Sequence, residues 1–273
     1  MRYARGSLVI TPERDIPLLR QVRNSGFVTH QQLFELLRQQ GVVSGRNTFN
    51  WRVRRLIRTQ HIARLEALTW QGSPIYAIAP NGLMELESQG EFAIALHSGT
   101  RPIPHRIQVF HALELNAIRL VMAQTAVLLA WQSEIEIASR NMVSDTPYQK
   151  DYDAVVKIWT GEEEREFGLE YERSLKSAKQ YAKIRAAIEG ERQLSCILYL
   201  AASPELMLGL IYQLTPSSIP IAFATARSFR EGNLATRVSV DAGGRTLTLN
   251  SFLDYASGQY SSNKVARSLA EAD

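Results

Sequence analysis

Residues 152–188 read YDAVVKIWTGEEEREFGLEYERSLKSAKQYAKIRAAI, and this stretch decides the fold of the C-terminal part of the chain. Two strand-like runs, 152–159 and 165–173, flank a charged turn at 160–164. A basic helix is predicted to follow from Leu175 to about Glu189, capped by Ser174. Side chains alternate faces along a strand, so Phe167, Leu169 and Tyr171 point one way and Gly168, Glu170 and Glu172 the other. Asp153 opens the first run. Acids on one side of a hairpin, with Lys176 and Lys179 just beyond, suit a hard divalent cation such as Mg²⁺. The same pattern also describes a hairpin whose acidic face is simply solvated.

Around this stretch the pattern is mixed. HRIQVFHALELNAIRLVMAQ (105–124) has apolar residues on a helical period. Two strands, 127–131 and 134–138, or one bent strand, are expected next. LSCILYLA (194–201) is nearly all apolar, as in a strand buried on both faces. Ser203-Pro204 opens a helix, 220–226 forms a further apolar strand, and 237–241 with 246–249 make a closing hairpin. The expected class is α/β (α+β overall), with a mixed sheet.

The chain has 273 residues, 45% of them hydrophobic and 21% charged, enough for one large or two ordinary domains. Cys196 is the single cysteine, which excludes a disulfide framework, and its apolar surroundings suit a buried small hydrophobe better than a nucleophile. No apolar run reaches the length of a membrane span, and the N-terminal run is too short for a signal peptide. A cytoplasmic protein with no membrane partner is expected. No P-loop, paired zinc cysteines or GxSxG signature occurs.

Charge is uneven. Residues 1–110 hold 14 arginines, no lysine and 7 acids, leaving 17 basic and 20 acidic residues for the remainder. Arginine concentrated on one domain is the electrostatic footprint of nucleic-acid binding.

Within 8–90, Thr11-Pro12 starts a first helix, with the Thr11 hydroxyl as cap. Thr29 and Gln32 form a capping box for a second. NTFNWRVRRLIRTQHI (47–62) makes a third. Phe49, Val53, Leu56 and Ile57 are predicted to face a core, leaving Arg46, Asn47, Asn50, Arg54, Arg58 and Trp51 for the outer surface. Arginine and asparagine are the side chains that read guanine and adenine edges bidentately. ARLEALTW and PIYAIAP then flank a turn at Gln71-Gly72-Ser73. Helix, helix, helix, hairpin is the order of a winged helix, and this stretch resembles that family. Residues 91–104 are expected to be a linker, 105–260 an α/β domain and 261–273 a flexible tail.

The element order of 105–260 resembles the core of the PD-(D/E)xK nuclease superfamily. That resemblance places Asp153, Glu170 and the helix residue Glu114 at the metal-binding acids, with Mg²⁺ as cofactor. Glu172 stands where the family carries lysine, so Lys176 or Lys179 would have to supply the positive charge. Over nearly the whole chain, the order winged helix, HALELNAIRL, YDAVV (152–156), LEYERS (169–174) and a basic helix resembles the replication-relaxation family. This implies binding of double-stranded DNA in plasmid or mobile-element replication, mobilisation or regulation. The partners expected are a second copy or other DNA-processing proteins. A Mg²⁺-dependent endonuclease is the alternative, and a non-catalytic subunit of a larger complex is a third.

Overall fold

A computed structural model describes residues 10–93, 106–124 and 128–258. The chain divides into two compact units, Met1–Leu120 and Val121–Asp273.

The first unit begins with α1 (Pro12–Asn24), β1 (Val28–Thr29), α2 (His30–Gln39) and α3 (Arg46–Arg58). The hairpin β2 (Ile62–Trp70) and β3 (Ser73–Ile78) follows, then α4 (Pro80–Ser88) and α5 (Arg106–Gln124), whose last turn passes the unit's end at Leu120. The Thr29–Gln32 capping box is present on both sides. The N-terminus of α1 departs from expectation. Thr11 occupies the cap position, but its hydroxyl caps nothing; instead the Asp15 carboxylate accepts from the Thr11 amide at 2.8 Å.

Hydrophobic burial fixes how α1, α2 and α3 meet. Leu18, Leu19, Val22, Leu33, Leu37, Phe49, Val53 and Leu56 are all within one buried cluster. The strands pair antiparallel in the order β1-β3-β2. Gln71 and Gly72 both have positive φ, 51° and 73°, and the flanking Trp70 and Ser73 pair. Two such residues make the type I′ turn that matches the twist of a two-residue hairpin.

The expected domain boundary differs from the division of the structure. Glu91 is held by Arg20 and Arg23 of α1, with Arg23 Nη1 donating to its carbonyl at 2.7 Å. Phe92 is exposed and Ala93 buried, and the remainder of the expected linker, 94–104, and the tail, 261–273, lie outside the described residues. Val109 and Leu113 of α5 bury against Ile75. Gln32 Nε2 donates to the Leu113 carbonyl and Asn116 Nδ2 to that of Phe27, each at 2.8 Å. The helix therefore belongs to the first unit through Leu120, not to the α/β unit.

The second unit contains β4 (Leu128–Ser133), α6 (Glu134–Asn141), β5 (Ala154–Trp159), β6 (Glu164–Glu172) and α7 (Ala178–Gly190). It continues with β7 (Ile197–Ala201), α8 (Pro204–Leu214), β8 (Ile221–Thr225), α9 (Ala226–Gly232), β9 (Arg237–Ser239), β10 (Thr246–Thr248) and a helix α10 over 249–258. The strands form one mixed sheet in the order β10-β9-β8-β7-β6-β5-β4. β6, β7 and β8 are parallel, joined through α7 and α8, and the other pairs are antiparallel. This is the expected mixed α/β architecture.

Residues 134–138 are helix, not strand. EIEI alternates like a strand, but Ser133 and Glu136 form a capping box, the acids sit in the first turn, and only Ile137 is fully buried. The basic helix also starts later than expected. Ser177 with Gln180 caps it, so it begins at Ala178, and Leu175 lies outside it and exposed.

Both faces of the sheet are covered. Val155, Ile197, Tyr199, Ile221 and Phe223 pack under side chains of α7 and α8, including Tyr181, Ile188, Leu206 and Leu210. On the opposite face, Arg165 Nη2 reaches Asp254 of α10 at 3.2 Å. Among the described residues no helix is long and apolar enough to cross a membrane.

Candidate functional site

The α3 surface sorts its residues sharply. Phe49, Val53 and Leu56 are buried, and Ile57 packs against the same core while staying partly open. Arg52 and Arg55 turn to the fully buried Asp15 of α1; Arg52 Nε lies 3.5 Å from its carboxylate and Arg55 forms a closer pair. These two arginines tie α3 to α1. Arg46, Asn47, Arg54 and Arg58 are exposed, as is Trp51 at 60% of its surface. Asn47, Trp51, Arg54 and Arg58 follow a spacing of four, three and four, which makes one continuous stripe.

Two of the expected outward residues are already engaged within the unit. The Arg46 guanidinium lies 4.4 Å over the Phe34 ring and donates to Gln31 Oε1 at 2.8 Å. Asn50 is half-buried, and its Oδ1 accepts from His30 Nε2 at 2.9 Å. That assigns the ring proton to Nε2, so Nδ1 accepts from the Tyr76 hydroxyl at 3.1 Å. Burial lowers the His30 pKa, the Asn50 bond opposes this, and Arg46 and Arg54 add to the lowering. Tyr76 is pushed up by burial, while Arg64 and Arg54 act to lower it. Cations from α3 and from β2 thus bear on one polar hub, His30–Tyr76–Asn50. Arg64 and this hub were not foreseen from sequence, because hairpin pairing brings them together rather than spacing.

In the second unit, Glu170 and Glu172 are 5% and 6% exposed. These two acids are therefore not solvated, in contrast to Glu164 and Glu166 nearer the turn: they lie on the part of the face beneath α7 and α8. Asp153 stands one residue before the Ala154–Leu169 pair, which sets it across from Glu170. On the other side Glu170 is in register with Tyr199, and Tyr199 with Phe223. Asp153, Glu170 and Tyr199 hence form one transverse row of the sheet.

Lysines compensate the buried acids. Lys150 Nζ forms an ion pair with Glu170 Oε1 at 2.6 Å. Lys176 pairs with Glu172. Asp153 Oδ2 accepts from the Tyr171 amide at 2.7 Å. Burial pushes the Glu170 carboxyl above its usual range against the pull of Lys150, with Asp153 adding to the rise. Burial also lowers Lys176, while Glu170 works to keep it protonated. The Tyr199 phenol is pushed up by the same burial, and its hydroxyl has no hydrogen-bond partner. Lys179 is exposed on the first turn of α7. Glu114 is half-buried on the part of α5 assigned to the first unit, while the row lies in the second.

Lys150 is the residue that the sequence did not reveal. It sits three positions before Asp153 in TPYQKDYD (146–153), which has no periodicity. Its loop is pinned by Glu191, a buried acid that accepts from the amides of Gln149, Arg192 and Gln193 and from the Tyr152 hydroxyl. Cys196 is buried, and its thiol is pushed up to about 12, consistent with an inert hydrophobe.

A divalent cation needs several free oxygen ligands. Glu170 and Glu172 each face a lysine, and one Asp153 oxygen is spent on a backbone amide. Among the described residues no three His, Cys, Asp or Glu side chains gather in a group able to hold a metal ion. As they stand, these residues do not fit Mg²⁺. Comparison with protein-family models, curated proteins and solved structures returned no match.

Proposed function

We propose that this is a double-stranded DNA-binding protein whose first unit is a winged helix. α3 lies in the major groove and the β2–β3 hairpin contacts the backbone beside it. The observation that carries this reading is the stripe Asn47–Trp51–Arg54–Arg58. It remains outward on a helix of which two other arginines, Arg52 and Arg55, are consumed in pairing to Asp15. Asn47 and Arg54 have the chemistry to read base edges, and Arg46, Arg58 and Arg64 to contact phosphate. The second unit has a nuclease-like fold with a degenerate centre. It serves as a platform for a second copy or for other DNA-processing proteins in plasmid or mobile-element replication, mobilisation or regulation. Selection of bound duplexes from a random-sequence pool tests this. An enriched motif whose recognition weakens in Arg54→Ala supports it; equal recovery of all sequences with no retention above a bare matrix defeats it.

A Mg²⁺-dependent endonuclease is the second reading, favoured by the juxtaposition of Asp153 and Glu170 in one row. Against it stand the lysines on Glu170 and Glu172. Nicking of supercoiled plasmid by the wild type, lost in Glu170→Ala with DNA binding retained, decides for it.

A further inference from the structure

We infer that Lys150 is a tethered counterion that stands where a divalent cation would have to sit in the row Asp153–Glu170–Tyr199, so that its pairing and metal binding exclude each other. The inference rests on the geometry of that row and not on DNA binding.

Three observations carry it. First, the carboxylates of Asp153 and Glu170 are set side by side by strand register, and Lys150 Nζ is 2.6 Å from the second of them. A buried carboxylate with a second, half-buried one beside it requires a cation, and here the chain supplies its own. Second, the row retains an oxygen ligand that the ammonium leaves unused: the Tyr199 hydroxyl, fully buried and in register with Glu170, has no hydrogen-bond partner. Buried polar atoms of this kind are rare and mark a place where another partner fits. Third, Lys150 comes from the loop before β5, and its side chain keeps 16% of its surface exposed. It takes no part in strand pairing, so it can leave without breaking the sheet. Removing it creates a two-carboxylate seat of the kind that hard cations occupy together with water.

Thermal melting and Mn²⁺ titration by electron paramagnetic resonance on the full chain test this. The variants are Lys150→Gln, which keeps the length and a donor without the charge, Glu170→Gln and their combination. The wild type should show no melting shift with millimolar Mn²⁺. Lys150→Gln should melt lower than the wild type, rise with Mn²⁺ and bind it at least about tenfold more tightly. The double variant should lose that response. If Lys150→Gln is unfolded alone, it should fold when Mn²⁺ is present. Wild-type binding of one Mn²⁺ that Glu170→Gln abolishes overturns the inference, since lysine and metal would then coexist. Failure of Lys150→Gln to respond to Mn²⁺, folded or unfolded, overturns it equally.

Discussion

Asp15 of α1, fully buried, pairs with both Arg55 and Arg52 of α3. This relationship divides the arginines of α3 into two that build the unit and others that remain outside. It also sets Trp51, because the Arg55 guanidinium lies 4.9 Å from the centre of the Trp51 ring. Breaking a buried pair by removing one charge costs about 3–5 kcal/mol, since the partner is left uncompensated. Asp15→Asn should therefore destabilise the first unit by about that amount, read by urea unfolding, and alter Trp51 emission. Arg54→Ala, on the exposed stripe, should change stability by no more than about 0.5 kcal/mol.

The His30 pKa gives a pH signature. Burial holds it below its ordinary value of 6.5. A group depressed in the folded state binds fewer protons there than in the unfolded chain. Its contribution to stability is complete above 6.5, declines as the pH falls below that value, and stops declining below the folded pKa. NMR titration of the His30 ring should give a midpoint under 6.5. Protonation forces the Tyr76 hydroxyl to turn, because Nδ1 then becomes a donor, so the Tyr76 ring resonances should move with the same midpoint.

Two glycines differ in what surrounds them. A Cβ at Gly168 on β6 would come 2.9 Å from Leu194 and 3.1 Å from the Tyr152 ring, both fully buried. Gly168→Ala should cost about 1–3 kcal/mol through overpacking. At Gly209 in α8 the close neighbour is the exposed Leu175, also at 2.9 Å, which can give way. Gly209→Ala should be neutral or stabilising, by up to about 1 kcal/mol of helix propensity. Thermal melts of the two variants side by side check this.

The degree to which the sequence disclosed the molecule follows from the range of the interactions. The inward face of α3 and the capping box of α2 were legible because both rest on spacing within one helix. The buried strand β7 was legible as an apolar run. The helix α6 was not: EIEI satisfies a period of two, and its capping box overrode that pattern locally. Burial of Glu170 and Glu172 was hidden because an acidic strand face reads as solvated until the helices that cover it are placed. Lys150 was hidden for a related reason, since its pairing with Glu170 is set by a loop held on Glu191. The structure divides after Leu120 rather than ahead of α5, because Val109 and Leu113 find their partner in Ile75, far back in the sequence.

If the second unit is a platform and not a nuclease, Glu170→Gln should leave DNA affinity unchanged. It lies beneath α7 and α8 and contributes nothing to the α3 stripe. Filter binding on one duplex with wild type and variant measures this. A drop of tenfold or more in a folded variant would mean that the second unit takes part in DNA binding.

The most direct test of DNA binding by α3 is the salt dependence of affinity for a random-sequence duplex, measured by fluorescence anisotropy for the wild type, Arg54→Ala and Arg58→Ala. Phosphate contacts release counterions, so the logarithm of affinity should fall steeply and linearly with the logarithm of salt. Removing an arginine that contacts phosphate should lower the slope by about one. A steep wild-type slope reduced in at least one variant is the predicted result; a flat dependence, or one that neither substitution alters, contradicts the account.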